Sequence, residues 1–393
     1  MNFEQRRGFR AALVLGAMLG GACVSSRDAS SIPASTARST VARVLAAGRG
    51  IDTVWYISAR AREEGRDSRR LADSLEFGYV LHSHRANGDL VAGGLDIALE
   101  DSVRLSRAQF VEGVRVATGG PAPRDFAALY VHGFGTSLRE CWQYASETHV
   151  RSQSRAPWIT FCWPSNGSGV APPTRDALFT GAYVNDSAAA VASQPAFVRA
   201  TELVLEAIPS SRLMFVAHSL GSQLLGDALG VPTALQAHLT AHPARAIIFA
   251  APDVEVTRFA DVFVPTLQRL AERTVVYMSG RDRMLALSKA RSGTVRAGAN
   301  QRAPLLRPGL ETIDATAGLV AEPGLQRWFG THHALRRASS VIFDITHVVG
   351  ARRAAACRGL LGTATMQADG VWQLTKMKPD SAMVARRCPL PHR

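Results

Sequence analysis

Apolar residues gather in short unbroken runs separated by longer amphipathic stretches. Residues 126–131 (FAALYV), 158–163 (WITFCW), 213–218 (LMFVAH), 246–250 (AIIFA), 274–278 (TVVYM) and 340–345 (SVIFDI) are such runs. Runs of this length without alternation predict strands buried on both faces, as in a parallel sheet. Between them, 138–150, 186–208, 223–229, 258–272 and 284–290 repeat apolar residues at three and four, the spacing of helices that cover a sheet. Strands alternating with helices predict βαβ units, whose functional groups sit at the carboxyl ends of the strands.

Upstream, 53–58, 77–81 and 90–99 read as earlier strands that start the sheet antiparallel to the rest. The charged stretch 60–72 between them reads as a loop or solvated helix, and the segment between 290 and the run at 340–345 as long and irregular. Beyond 351, two alternating segments, 363–367 and 371–375, flank Ala368-Asp369-Gly370, a hairpin signal. An isolated hairpin is marginal, so it is expected to be stapled by cysteines, packed on the main domain, or both. The expected organisation is a leader over 1–23, a spacer rich in Ser, Ala, Thr and Arg over 24–50, an α/β domain over 51–350 and a hairpin tail over 351–393.

The leader reading comes from charge and hydropathy. Arg6, Arg7 and Arg10 precede a short apolar run ending in Gly20-Gly21-Ala22-Cys23. A basic segment, an apolar segment too short to span a bilayer comfortably and small residues describe a secretory signal. The chain is expected to be exported, either periplasmic or lipid-anchored to a bacterial envelope through Cys23, whose surroundings resemble a lipobox with Gly20 where leucine is usual. Simple signal cleavage near Cys23 is the alternative. Export leaves four cysteines in an oxidising space. Of Cys141, Cys162, Cys357 and Cys388, the last two bracket the tail and are the easiest pair, whereas Cys162 lies in a predicted core strand, where a small buried hydrophobe is at least as reasonable as a bridge.

The 393 residues carry a formal charge of +13, with 47% hydrophobic content. The basic excess is almost all arginine spread along the chain, without clusters interleaved with aromatics, so nucleic acid is not expected as a partner. Attraction to acidic envelope surfaces is the most it implies.

The chemistry concentrates at 213–222. A buried strand runs into Ala217-His218-Ser219-Leu220-Gly221 and then a helix former, the setting of a nucleophile elbow. Small residues on either side of Ser219 let strand and helix approach, and strain exposes the hydroxyl. Ser219 is therefore the candidate nucleophile, with the Leu220 N–H, at the start of the helix, as one oxyanion donor. An ordinary serine N-cap is the plainer alternative. The glycine-rich turn His132-Gly133-Phe134-Gly135 after 126–131 places the Phe134 N–H as the second donor. Asp282, after 274–278, is the candidate acid, with Asp253 as runner-up, and Asp344 reads as structural. His347, after 340–345, is the candidate base by topology, with His332 or His333 as rivals. His218 should point away from the nucleophile. None of the cysteines has metal-ligand spacing, and the scheme needs no metal or organic cofactor.

The order Ser219, Asp282, His347 and the motifs around it resemble the α/β-hydrolase superfamily over about 53–350. Within it the chain is similar to a bacterial family of uncharacterised, often envelope-associated serine hydrolases. The stretches that carry the resemblance are His132-Gly133-Phe134, Trp163-Pro164-Ser165, 217–221, Ala250 to Asp253, and Ser279 to Asp282 followed by Leu287-Ser288. In that family the histidine follows a longer loop, whereas here His347 directly follows a run. The resemblance implies a mostly parallel sheet and a serine hydrolase acting on a carboxylic ester, lipid or related acyl substrate. An amidase or peptidase would share the machinery, and a non-catalytic envelope lipoprotein that uses the fold as a binding module is the reading from a different class.

Overall fold

The computed structural model describes residues 43, 47–63, 66–87, 94–119, 126–165, 175–299, 305–318, 332, 338–375 and 381–388. The expected leader with Cys23, most of the expected spacer, His333 and residues 166–174 lie outside the described residues.

In chain order the elements are β1 (Gly50–Glu63), β2 (Arg66–Asn87), β3 (Gly94–Arg104), α1 (Arg107–Thr118), β4 (Ala127–Val131), α2 (Leu138–Ser152), β5 (Trp158–Cys162), α3 (Arg175–Ala192), α4 (Gln194–Ala207) and β6 (Leu213–His218). There follow α5 (Gly221–Gly230), α6 (Ala234–Ala241), β7 (Ala246–Ala250), and α7, which begins at Val256–Arg258, passes a π-helical Phe259–Phe263 and ends in Val264–Leu267. β8 (Thr274–Met278), α8 (Arg283–Ser292), β9 (Leu310–Asp314), α9 (Ser339–Phe343, continued by a π-helical Asp344–Val349), α10 (Cys357–Leu361), β10 (Ala364–Met366), β11 (Trp372–Leu374) and α11 (Ser381–Arg387) complete the set.

One sheet of eleven strands runs β10-β11-β9-β8-β7-β6-β4-β5-β1-β2-β3. From β1 through β11 neighbours are parallel, and β2, β3 and β10 add antiparallel edges. This is the expected mostly parallel α/β sheet with a C-terminal hairpin. Alternate residues of each central strand enter two different cores, which is why the runs are apolar throughout. Leu213, Phe215 and Ala217 face one core with Phe197 and Leu224, while Met214 and Val216 face the other with Val341 and Ile345. Strand order reverses at β4, between β5 and β6, so the loops leaving β4 and β6 diverge over a crevice where open α/β sheets bind ligands.

Several expectations are corrected. β1 is parallel to β5, and the described parts of the charged stretch, 60–63 and 66–72, are strand, with arginines and carboxylates pairing across the β1–β2 ribbon, Arg62 with Glu76 at 2.9 Å among them. The helix predicted over 186–208 is two, α3 and α4, divided at Ser193 ahead of Pro195. The run at 340–345 is helix. Val341, Ile345 and Val349 recur at four residues and meet the sheet, whereas Phe343 and Val348 face the tail's cluster. Asp344 is buried there as a structural group, accepting from Arg358 and from Tyr277 Oη at 2.5 Å. The last parallel strand before the tail is β9, within the stretch expected to be irregular. The tail extends the same sheet, with Trp372 paired to Ile313. Cys141 is bridged to Cys162, and Cys357 to Cys388.

α2 covers β1 and β2 where a histidine cluster lies. His82 is fully buried with neither ring nitrogen hydrogen-bonded, its ring 6.0 Å from His84 and 6.2 Å from His149. Burial pushes its pKa down to about 3, against the pull of the Asp52 carboxylate and with the help of His149 and His84. A folded pKa below the unfolded one means that the unfolded chain takes the proton first as pH falls. The associated stability is complete above about pH 6.5 and is lost by about 1.4 kcal/mol per pH unit until the folded value is reached. Between pH 7 and pH 5, denaturant titration is expected to show wild type losing about 2 kcal/mol more than His82→Leu; equal losses would contradict this.

Candidate active site

The turn after β6 is strained. Ser219 has φ 54°, a left-handed conformation rare for a residue with a Cβ and worth about 1–3 kcal/mol of strain. Three backbone hydrogen bonds hold it there: its N–H donates to Ala250 O at 3.0 Å, and its carbonyl accepts from Ser222 N at 3.0 Å and Asp253 N at 3.2 Å. The small residues around it are dictated by contact. A Cβ on Gly221 would lie 2.4 Å from His132 O and 2.7 Å from Val131 O, and one on Gly133 would lie 2.9 Å from Ser219 Cβ. The loops after β4 and β6 therefore touch at the serine.

Leu220 stands at the N-cap of α5 and Phe134 in the loop after β4, so both proposed donors flank the elbow. Among the described residues no backbone carbonyl accepts from either N–H. His132 is turned away from the crevice. Its ring stacks on Trp163 at 5.0 Å and 8°, and Trp163 Nε1 donates to its carbonyl at 2.9 Å.

Asp282 caps α8: Oδ1 accepts from Leu285 N at 3.0 Å. Its other oxygen, Oδ2, accepts from Nδ1 of His332 at 2.7 Å, both side chains being buried. With Nδ1–H engaged by a carboxylate, Nε2 is left as the basic nitrogen. The same histidine is tied to the elbow through His218, which precedes the serine. His218 Nε2 donates to His332 O at 3.1 Å, and the two rings lie 4.8 Å apart. This link from His218 to the backbone of His332 is one that the sequence did not reveal.

The structure does not bring His347 to Asp282. It sits in the π-helical part of α9 with Nε2 donating to Ser152 O at 3.0 Å and its ring 4.5 Å from Phe343. The helix turns this histidine toward the end of α2, where a strand would have delivered it to the carboxyl edge of the sheet. His332, one of the two rivals, occupies the place beside Asp282. The available signal was the histidine's separation in sequence from a strand: β9 ends at Asp314, well before His332. Asp253 is engaged otherwise, accepting from Tyr183 Oη and Ser288 Oγ at 2.7 Å each and from Arg296 Nε at 3.2 Å. Burial and the Asp253 charge push the Tyr183 hydroxyl well above its ordinary pKa, so it stays a donor. Tyr183 also lies 5.6 Å from the Phe134 ring. Among the described residues no group of three His, Cys, Asp or Glu side chains is placed to hold a metal ion, and no helix is long and apolar enough to cross a membrane.

Residues 122–317 match a family model described as "Alpha/beta hydrolase of unknown function (DUF900)". No curated protein matches the chain. Similar solved structures include a hyperthermophilic esterase from the archaeon Pyrobaculum calidifontis, at 10% identity and TM-score 0.29, covering 90% of this chain and 92% of that one. A predicted CIB-like hydrolase from Thermoplasma acidophilum matches at 10% identity and TM-score 0.29, covering 77% and 100%. The esterase Est22 matches at 12% identity and TM-score 0.23, covering 68% and 79%.

The close approach at the elbow predicts an asymmetry along α5. Gly221→Ala is expected to cost about 1–3 kcal/mol in chemical denaturation, because the methyl meets backbone that cannot retreat. Gly230→Ala, facing open space, should leave stability unchanged or raise it by up to about 1 kcal/mol; equal effects of the two would count against the packing described.

Proposed function

We propose that this chain, which belongs to the α/β-hydrolase superfamily through residues 122–317, is a serine hydrolase acting on a carboxylic ester or related acyl substrate. The observation that carries the reading is the buried 2.7 Å hydrogen bond between Asp282 and His332, tied through His218 to a serine held at φ 54°. His332 Nε2 takes the proton of Ser219 Oγ as the oxygen attacks the substrate carbonyl. Asp282 keeps the ring in the tautomer that can do so and stabilises the imidazolium. The N–H groups of Leu220 and Phe134 hold the tetrahedral oxyanion, each contributing about 3–4 kcal/mol in sites of this kind. His332 then gives its proton to the leaving group, and a water activated by the same nitrogen releases the acyl enzyme.

We also propose export, with 1–23 as a leader, a spacer to about residue 50 and attachment through a lipidated Cys23. The bridges Cys141–Cys162 and Cys357–Cys388 support an oxidising compartment. Labelled palmitate should enter wild type and not Cys23→Ala; equal incorporation in the two, or none in wild type, would rule the anchor out.

The catalytic reading is tested with a fluorophosphonate probe. Wild type and His347→Ala should label at similar rates, while Ser219→Ala should fail to label and His332→Ala should slow by about four orders of magnitude or more. Loss of labelling in His347→Ala with retention in His332→Ala would reverse the assignment of the base. A folded wild type that does not label would move the binding-module reading ahead.

A further inference from the structure

Asp186, on α3, is 1% exposed, and its Oδ2 accepts two hydrogen bonds: from the Gly135 N–H at 2.9 Å and from Ser165 Oγ at 2.5 Å. The Ser165 hydroxyl oxygen in turn accepts from the Thr136 N–H at 2.9 Å. One buried carboxylate, directly and through one hydroxyl, therefore engages both amides that follow Phe134. The opposite polarity of the loop is engaged from β1, where buried Arg60 donates through Nη2 to Thr136 O and, at 2.9 Å, to Ser165 O. Thr136 Oγ1 closes the turn onto Gly133 O at 3.2 Å. The loop 133–136 is thus held between a buried anion and a buried cation by its own backbone, with Gly135 at φ 65° providing the bend.

We propose that Asp186, acting through Ser165, is the positioning residue of the oxyanion donor at Phe134; this rests on the serine-hydrolase reading above. With the Gly135 and Thr136 N–H groups turned toward Asp186 and Ser165, the peptide carrying the Phe134 N–H has one orientation beside Ser219. Hydrogen bonds to an ionised acceptor are about twice as strong as neutral ones, and a donor fixed in advance needs no reorganisation as negative charge develops. The role accounts for Trp163-Pro164-Ser165, which carries no step of the reaction: Trp163 stacks on the start of the loop and Ser165 links its far end to the acid. It also gives a reason for a carboxylate at Asp186, where the apolar pattern marks only a covering helix.

The test compares full-length wild type with Asp186→Asn and Ser165→Ala, using p-nitrophenyl acetate turnover, fluorophosphonate active-site titration and amide hydrogen exchange. Asp186→Asn should lower kcat by about 10–100-fold, with KM within about two-fold and the pH midpoint of kcat unchanged, since Asp282 and His332 are untouched. The titrated fraction should stay at the wild-type level, and peptides spanning 133–137 should exchange faster while those spanning 219–230 do not. A lower titrated fraction with unchanged kcat per titrated site would reduce Asp186 to a structural role and overturn the proposal, as would unchanged exchange in the loop. If Asp186→Asn fails to fold, Ser165→Ala, which removes the link between Asp186 and the Thr136 N–H, carries the same comparison. A wild type inert to the fluorophosphonate would refute the serine-hydrolase reading and with it the catalytic part of this proposal, and the exchange data would then report only on the loop.

Discussion

The left-handed backbone of Ser219 is the constraint to which the surrounding structure is fitted. A non-glycine residue stays there only if its neighbours over-determine it. Here the Ser219 N–H reaches the end of β7 and its carbonyl is capped by Asp253 and by the first turn of α5. Those bonds require β6 and β7 to be parallel neighbours in this register, and they require α5 to pass against the backbone of Val131 and His132, which only glycine at 221 permits. The same contact brings the Phe134 loop beside the serine. The placement of the proposed nucleophile and of its two proposed N–H donors at the reversal of strand order follows from one turn and the glycines around it.

Asp282 and His332, the proposed acid and base, are organised with similar economy. Asp282 uses one oxygen to cap α8 and the other to hold His332, so the first turn of a helix fixes the carboxylate and the carboxylate fixes the ring. His218 adds a second tie from the elbow to the histidine's backbone. The serine's own neighbour in sequence therefore ties the proposed base, which comes from a distant segment, to the turn that carries the proposed nucleophile.

Much of this was legible because the chemistry sits on strongly patterned elements. Six apolar runs were read as strands and five are strands of the parallel sheet; the elbow, the Phe134 loop and Asp282 fall at their carboxyl ends. The sixth misled. A short apolar run is compatible with strand or buried helix, and 340–345 is wetted on no side: Val341 and Ile345 meet the sheet while Phe343 meets the tail cluster. The genuine strand, Leu310–Asp314, is short and half polar, with Glu311 paired to Arg273 and Arg358, so its composition advertised nothing. Exchanging those two segments pointed the sequence reading to His347, where the structure supports His332 as the proposed base. Asp186 was invisible for a different reason, since its importance lies in contacts with Gly135 and Ser165 that no local pattern encodes.

The most direct measurement of the central claim is a crystal structure of the covalent fluorophosphonate adduct. The account predicts phosphorus bonded to Ser219 Oγ, the phosphoryl oxygen within about 3 Å of the Phe134 and Leu220 nitrogens, and His332, still on Asp282, as the histidine facing the adduct. An adduct on another residue, or one at Ser219 faced by His347 with His332 apart, would contradict it.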